Sequence, residues 1–314
     1  MPPKIKGVLF TVASAASLSV TFIASKQALQ ELTPLGFAPM WFLAALLWGL
    51  GYYALQPTKI TVSTFKPHWK SLLLLGLSSS IANFFFFTNI SLGDPTVIAF
   101  FSRATTIFAL LMGVGWLGES MTRAQWLGAA VAVAGAGVMT YHGGSLIWLV
   151  LALALGSSFF HALTSYVAKK SVTQVSPLVL NLARTLILTI CLGSASLLTG
   201  QLVWPSLTTL LWIGGGSFFG PFLSYLLFYQ GMQTLDISKA TIIRASQPLF
   251  VACYSWVLLG QVISLQQFMG GMVILAGVVL ILLPCRGSWG VIFQKRRQAA
   301  SATTADPALQ GAAD

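Results

Sequence analysis

Long apolar runs constrain this chain more than any motif in it. Cut at its Pro, Gly, Lys and Asp punctuation, the sequence falls into ten such segments, near 7–28, 35–55, 70–91, 95–117, 124–141, 145–168, 176–198, 208–231, 237–259 and 266–284. A helix of about 20 residues, rising about 1.5 Å per residue, crosses a hydrocarbon core roughly 30 Å thick. The runs persist because charge is scarce: 7% of the residues are charged and 56% hydrophobic. Six acids among 314 residues cannot cover a water-facing surface, so the solvent for most of the chain is lipid. A secreted disulfide scaffold, a disordered chain and a cytosolic enzyme are excluded. The first run is too long for a cleavable signal peptide, and no small-residue site leads from it into a polar segment.

The net charge of +11 would suggest nucleic acid in a soluble protein, but its placement points elsewhere. With the N-terminus inside, the cytoplasmic segments carry Lys4, Lys6, Lys59, Lys66, Lys70, Arg123, Lys169, Lys170, Lys239, Arg286, Lys295, Arg296 and Arg297. The outer loops carry Lys26 alone, at a helix end where its stem can snorkel. Flipping the chain or dropping a helix destroys this bias, which is that of positive cytoplasmic loops. The expectation is a multi-pass cytoplasmic (inner) membrane protein with both termini cytoplasmic and no nucleic-acid partner. Residues 286–314 read as a basic cytoplasmic tail, interfacial at Trp289 and disordered beyond Ala299. Cys191, Cys253 and Cys285 form no CxxC or Cys/His metal spacing, and no metal or cofactor is expected.

The chain repeats itself. A shift of 142 lays residues 94–135 on 236–277 without a gap and matches Asp94 with Asp236, Leu117-Gly118 with Leu259-Gly260 and Gln125 with Gln267. A shift of 143 pairs Ser14 with Ser157, Thr21 with Thr164, Lys26 with Lys169, and Pro34-Leu35 with Pro177-Leu178. Each unit, 1–142 and 143–285, holds five spans, and an odd number forces the second unit upside down. The predicted fold is therefore an all-α membrane protein of ten transmembrane helices in two inverted-topology five-helix repeats. Inverted repeats are an architecture of secondary transporters, with the solute site near midplane.

With these features the sequence resembles the EamA branch of the drug/metabolite transporter superfamily over about residues 7–284. The resemblance rests on Leu117-Gly118-Glu119 and Gln125-Trp126-Leu127-Gly128 in the first unit. In the second it rests on Ser246-Gln247-Pro248-Leu249-Phe250, Leu259-Gly260-Gln261 and Phe268-Met269-Gly270. Gln261 stands where the family usually has a second glutamate, Thr106 where it has a first proline, and Trp41 where many relatives carry an arginine. Arg184 occupies the matching place in the second unit. The resemblance implies a central cavity lined by spans 1–4 and 6–9, with spans 5 and 10 peripheral. It also implies export or exchange of amino acids or related metabolites.

Three arginines fall inside apolar spans: Arg103, Arg184 and Arg244. A charge there is expensive and must face water or protein. Two readings stand: the guanidinium groups bind an anionic solute, or they cap backbone carbonyls or snorkel towards a helix end. No Asp or Glu lies deep in any span, which disfavours a cationic cargo. His161 lies mid-span in the sixth segment, as a relay or as a hydrogen-bonded core residue. Trp41, Asn83, Tyr225 and Gln247 lie deep enough to line a path. Pro221 and Pro248 interrupt the eighth and ninth spans, as hinges that free carbonyls for a ligand or water, or as structural kinks. Small residues from Gly128 to Gly135 and from Gly270 to Gly277 permit close helix packing, leaving a homodimer open.

Metal-binding carboxylate clusters, HExxH and a framed Ser/His pair are missing from the sequence, so an enzyme is not expected. A channel would want a Gly-rich filter or a ring of acids. The expected function is a secondary transporter moving a small amino acid or carboxylate-bearing solute by alternating access. Carriage of neutral amphipathic or sugar-phosphate-like solutes, and a non-transporting scaffold, are the alternatives.

Overall fold

The computed structural model describes residues 2–56, 66–92, 104–140, 148–259 and 265–282, and among them every regular element is helical. The helices are α1 (Pro3–Ala28), α2 (Pro34–Ala54), α3 (Trp69–Leu92), α4 (Ala104–Trp116), α5 (Arg123–Thr140), α6 (Trp148–Ser171) and α7 (Pro177–Leu198). They continue with α8 (Leu207–Met232), α9 (Ile237–Arg244), α10 (Gln247–Leu259) and α11 (Leu265–Leu282). By length and composition α1, α2, α3, α7 and α8 can each cross a membrane. Arg103, Asp94, Gln261 and the 286–314 tail lie outside the described residues.

Local chemistry sets the helix starts. Thr33 and Ser176 accept from Gly36 N (3.1 Å) and Val179 N (3.4 Å), each followed by a proline in the first turn. A hydroxyl cap satisfies an orphan amide, and proline there has no amide to waste. These two starts are the matched Pro-Leu pairs of the repeat. Large apolar side chains cover the outside: Leu47 on α2, Leu74 on α3 and Ile190 on α7 are 60%, 47% and 57% exposed. Exposed tryptophans cluster at helix ends, with Trp69 opening α3, Trp148 opening α6 and Trp116 closing α4. Apolar flanks ended by tryptophan belts suit a bilayer, not water.

The two halves pack as partners. α1 lies along α8, α9 and α10, while its repeat equivalent α6 lies along α3 and α4. α2 packs on α7, α5 on α11 and α4 on α9, so exchanging the halves carries the contact pattern into itself. Small polar residues join them inside: Ser78 meets Thr164 (3.0 Å), Ser14 meets Ser224 (3.3 Å), and Ser157 donates to Ala82 O (2.9 Å). The glycine faces of α5 and α11, which the sequence left open for a second subunit, meet each other within the chain. A Cβ on Gly277 would lie 2.5 Å from Ala132 N, and one on Gly135 2.7 Å from Ile274 N.

Two helices depart from regularity. Pro221 has no amide, and α8 widens around it into a π turn at Phe218–Ser224. The ninth segment, expected as one kinked helix over 237–259, is two helices. α9 stops at Arg244, and α10 begins at Gln247, one residue before Pro248. Proline is tolerated at a helix start but not in its interior, so the chain restarts there.

Candidate functional site

The described helices surround a cavity of about 190 Å³, large enough for a small organic solute or several waters. Its lining comes from α1–α4 and α6–α10, with none from α5 or α11 among the described residues. Arg184, Arg244, Trp41, Asn83, His161, Tyr225, Gln247 and Pro221 all line it, although they are scattered over 206 positions of sequence between Trp41 and Gln247. Pro248 sits in the first turn of α10, beside Gln247.

The two described span arginines arrive differently. Arg184, on α7, is 0% exposed. Its Nη2 donates to Pro221 O (2.9 Å) and Asn181 Oδ1 (3.1 Å), with longer contacts from Nε to Asn181 Oδ1 and from Nη1 to Ser79 Oγ (3.4 Å each). Asn181 and Arg184 share a face because they are three residues apart on one helix. Arg244 is the last residue of α9, where a cation suits the negative end of the helix dipole. Its Nη2 donates to Ser224 Oγ (3.0 Å), and its buried Nε has no partner.

Tyr225 stands between them. The guanidinium carbon of Arg184 lies 3.6 Å from the ring centroid and that of Arg244 4.8 Å; Arg244 also lies 4.3 Å from the Phe228 ring. Each such contact stabilises a desolvated cation by about 0.5–2 kcal/mol. No carboxylate pairs with either arginine among the described residues; the salt bridge found there is Lys239–Asp236. The cavity is therefore positive, and Phe22, Phe42, Phe86 and Phe87 add apolar surface to its lining.

Carbonyls around the proline break meet side-chain donors from neighbouring helices. Trp48 Nε1 donates to Gly214 O (2.9 Å), Ser17 Oγ to Phe219 O (2.7 Å), Arg184 Nη2 to Pro221 O, and Asn181 Nδ2 to Phe222 O (2.9 Å). In lipid every freed backbone acceptor needs a donor, and α1, α2 and α7 supply them from side chains. Trp41 packs edge-on against α8. A Cβ on Gly216 would lie 2.5 Å from its Cη2, so the indole needs glycine there.

Sequence reasoning missed Thr21 and Asn181. Thr21 lines the cavity with its hydroxyl unpartnered, and the only signal was its identity with Thr164 in the repeat. It also missed what Glu119 does. That carboxylate crosses from the first unit to the N-terminus of α9, accepting from Ile237 N (2.6 Å), Ser238 N (3.0 Å) and the Ser238 hydroxyl. Asp236, the N-cap residue there, makes no side-chain cap.

The model of the EamA-like transporter family matches this chain twice, over residues 5–141 and 148–283. A relative in Archaeoglobus fulgidus named "Uncharacterized transporter" is 32% identical over 89 residues, covering 28% of this chain and 33% of the relative. The matched stretch thus spans about a third of that relative's length. A solved crystal structure superposes with a TM-score of 0.79 at 16% identity, covering 89% of this chain and 97% of that one; at this identity the likeness is one of fold.

Proposed function

Because the chain belongs to the EamA-like transporter family, we propose that this membrane transporter moves a small carboxylate-bearing metabolite, an amino acid or organic acid, by alternating access around the arginine-lined cavity. The reading includes ten membrane crossings in two inverted repeats, and both chain ends on the cytoplasmic side of an inner membrane. The two matched halves support it, since near-equivalent bundles can exchange conformations around a shared gap. So do the loop charges.

One observation carries the choice of cargo: two buried guanidinium groups converge on one cavity without a carboxylate partner among the described residues. Desolvated charge is stabilised by an opposite charge, and a carboxylate presents its two oxygens to donors of this kind. Exchange in proteoliposomes, with a panel of carboxylates, amines and neutral solutes, tests this. Saturable counterflow of carboxylates is expected. Arg184→Ala and Arg244→Ala should reduce it, and loss of Lys66 or Lys170 should leave it near wild type at matched expression. Equal activity in all four variants removes the anion reading. Counterflow of amines alone removes the cargo class.

A further inference from the structure

The polar atoms of the cavity separate into those already bonded and those left over. Every guanidinium nitrogen of Arg184 touches an acceptor, and two of these acceptors, Pro221 O and Asn181 Oδ1, belong to the framework around the π turn. Left over are Arg244 Nε, Gln247 Nε2 and Thr21 Oγ1, each buried without a partner and each on a residue lining the same cavity. A buried donor without an acceptor costs about 1–3 kcal/mol. Three unmet groups on residues lining one cavity describe a missing acceptor better than three separate defects.

Their placement describes that acceptor. Gln247, 6% exposed, opens α10, a helix of 13 residues whose N-terminus carries the positive end of its dipole. Arg244 lies three positions earlier, across the interruption at Ala245-Ser246. The pair thus combines a formal charge, an amide donor and a helix N-terminus, which suits an oxyanion. No Asp or Glu is among the described residues lining the cavity, so an ammonium group brought in beside two guanidinium groups meets like charge. The phenylalanine surface suits an apolar body.

Resting on the reading of this cavity as the transport site, we propose that Arg244, Gln247 and Thr21 form the head-group subsite for an apolar monocarboxylate without an amino group, and that Arg184 is a positioning residue which holds the π turn of α8. Thermal unfolding of the purified full-length protein tests both halves, with 3-phenylpropionate, straight-chain monocarboxylates, 3-phenylpropionamide and L-phenylalanine as probes. The acids should raise the melting temperature, the amide should not, and L-phenylalanine should bind more weakly than 3-phenylpropionate. Arg244→Gln and Gln247→Leu should each weaken the acid about tenfold, the scale of one charge-assisted hydrogen bond, and Thr21→Val severalfold. Should Arg244→Gln fail to fold, the other two carry the test. Arg184→Lys should lower the unliganded melting temperature while keeping the acid's affinity.

Wild-type affinity for the acid in the Arg244, Gln247 and Thr21 variants overturns the subsite and leaves the carboxylate reading standing. No stabilisation of the wild type by any acid overturns both. L-phenylalanine binding as tightly as 3-phenylpropionate overturns the exclusion of the amine. Lost affinity in Arg184→Lys at an unchanged melting temperature overturns the positioning role.

Discussion

Arg184 and Arg244 bring the same charge to the same cavity, but the rest of the chain uses them differently. Asn181 shows the difference most simply: its Oδ1 accepts from Arg184 while its Nδ2 donates to Phe222 O, so one amide braces a cation and a broken helix together. Asn181→Leu should destabilise the fold by about 1–3 kcal/mol, because it orphans a carbonyl and weakens the hold on a buried charge; reversible unfolding in mixed micelles measures this. An Asn181→Leu protein as stable as wild type would mean that the brace is idle. Such residues were only partly legible in the sequence. Arg184, Arg244, His161, Asn83 and Gln247 stood out because a large polar group deep in an apolar span must find protein or water. Thr21 did not, because a helical hydroxyl ordinarily bonds the carbonyl four residues back, as Thr11 and Ser19 do here, and needs no other partner.

At the scale of the element, carboxylates on one half hold helix starts on the other. Glu119 caps α9, and Glu119→Ala should lower stability by about 0.5–2 kcal/mol, as loss of a helix cap does, with Glu119→Gln losing less because one acceptor remains. Glu31, in the turn after α1, accepts from Ser206 Oγ (2.7 Å), Ser206 N (2.6 Å) and the Thr209 hydroxyl at the start of α8. The Ser206 hydroxyl first, then Thr209 and the Ser206 amide, hold its carboxyl below the usual carboxylate range. A depressed pKa stabilises the fold while the group is ionised, and this contribution fades as pH falls through the folded-state value. The melting temperature of the wild type should therefore drop on acidification more than that of Glu31→Gln; parallel curves would deny the clasp a role. The α5–α11 contact makes a third test. Gly277→Leu should destabilise by about 1–3 kcal/mol, the cost of overpacking, and leave the solute affinity of the folded fraction unchanged, since no described residue of either helix lines the cavity. The glycine runs announced close packing but not its partner, because a smooth helix face fits many others equally well.

Across the whole molecule, two halves of similar sequence interlock so that each supplies walls to a common gap. If that gap opens alternately, the contact between α4 and α9 must separate in one state. A Cβ on Gly113 would lie 2.5 Å from Ser238 Oγ. In a cysteine-free background, oxidising the pair Gly113→Cys and Ser238→Cys should then stop exchange and reduction should restore it, while a cross-link between α5 and α11 should leave exchange intact. Undiminished exchange with α4 and α9 locked would exclude this motion. The lipid solvent and the repeat were readable from the chain alone, because transfer to lipid is a sum over local segments and identity is preserved position by position. Which donors are spent and which remain was decided only in three dimensions. A guanidinium on α7 meets a carbonyl on α8 because of packing between segments far apart in the chain, and no spacing along it records that encounter.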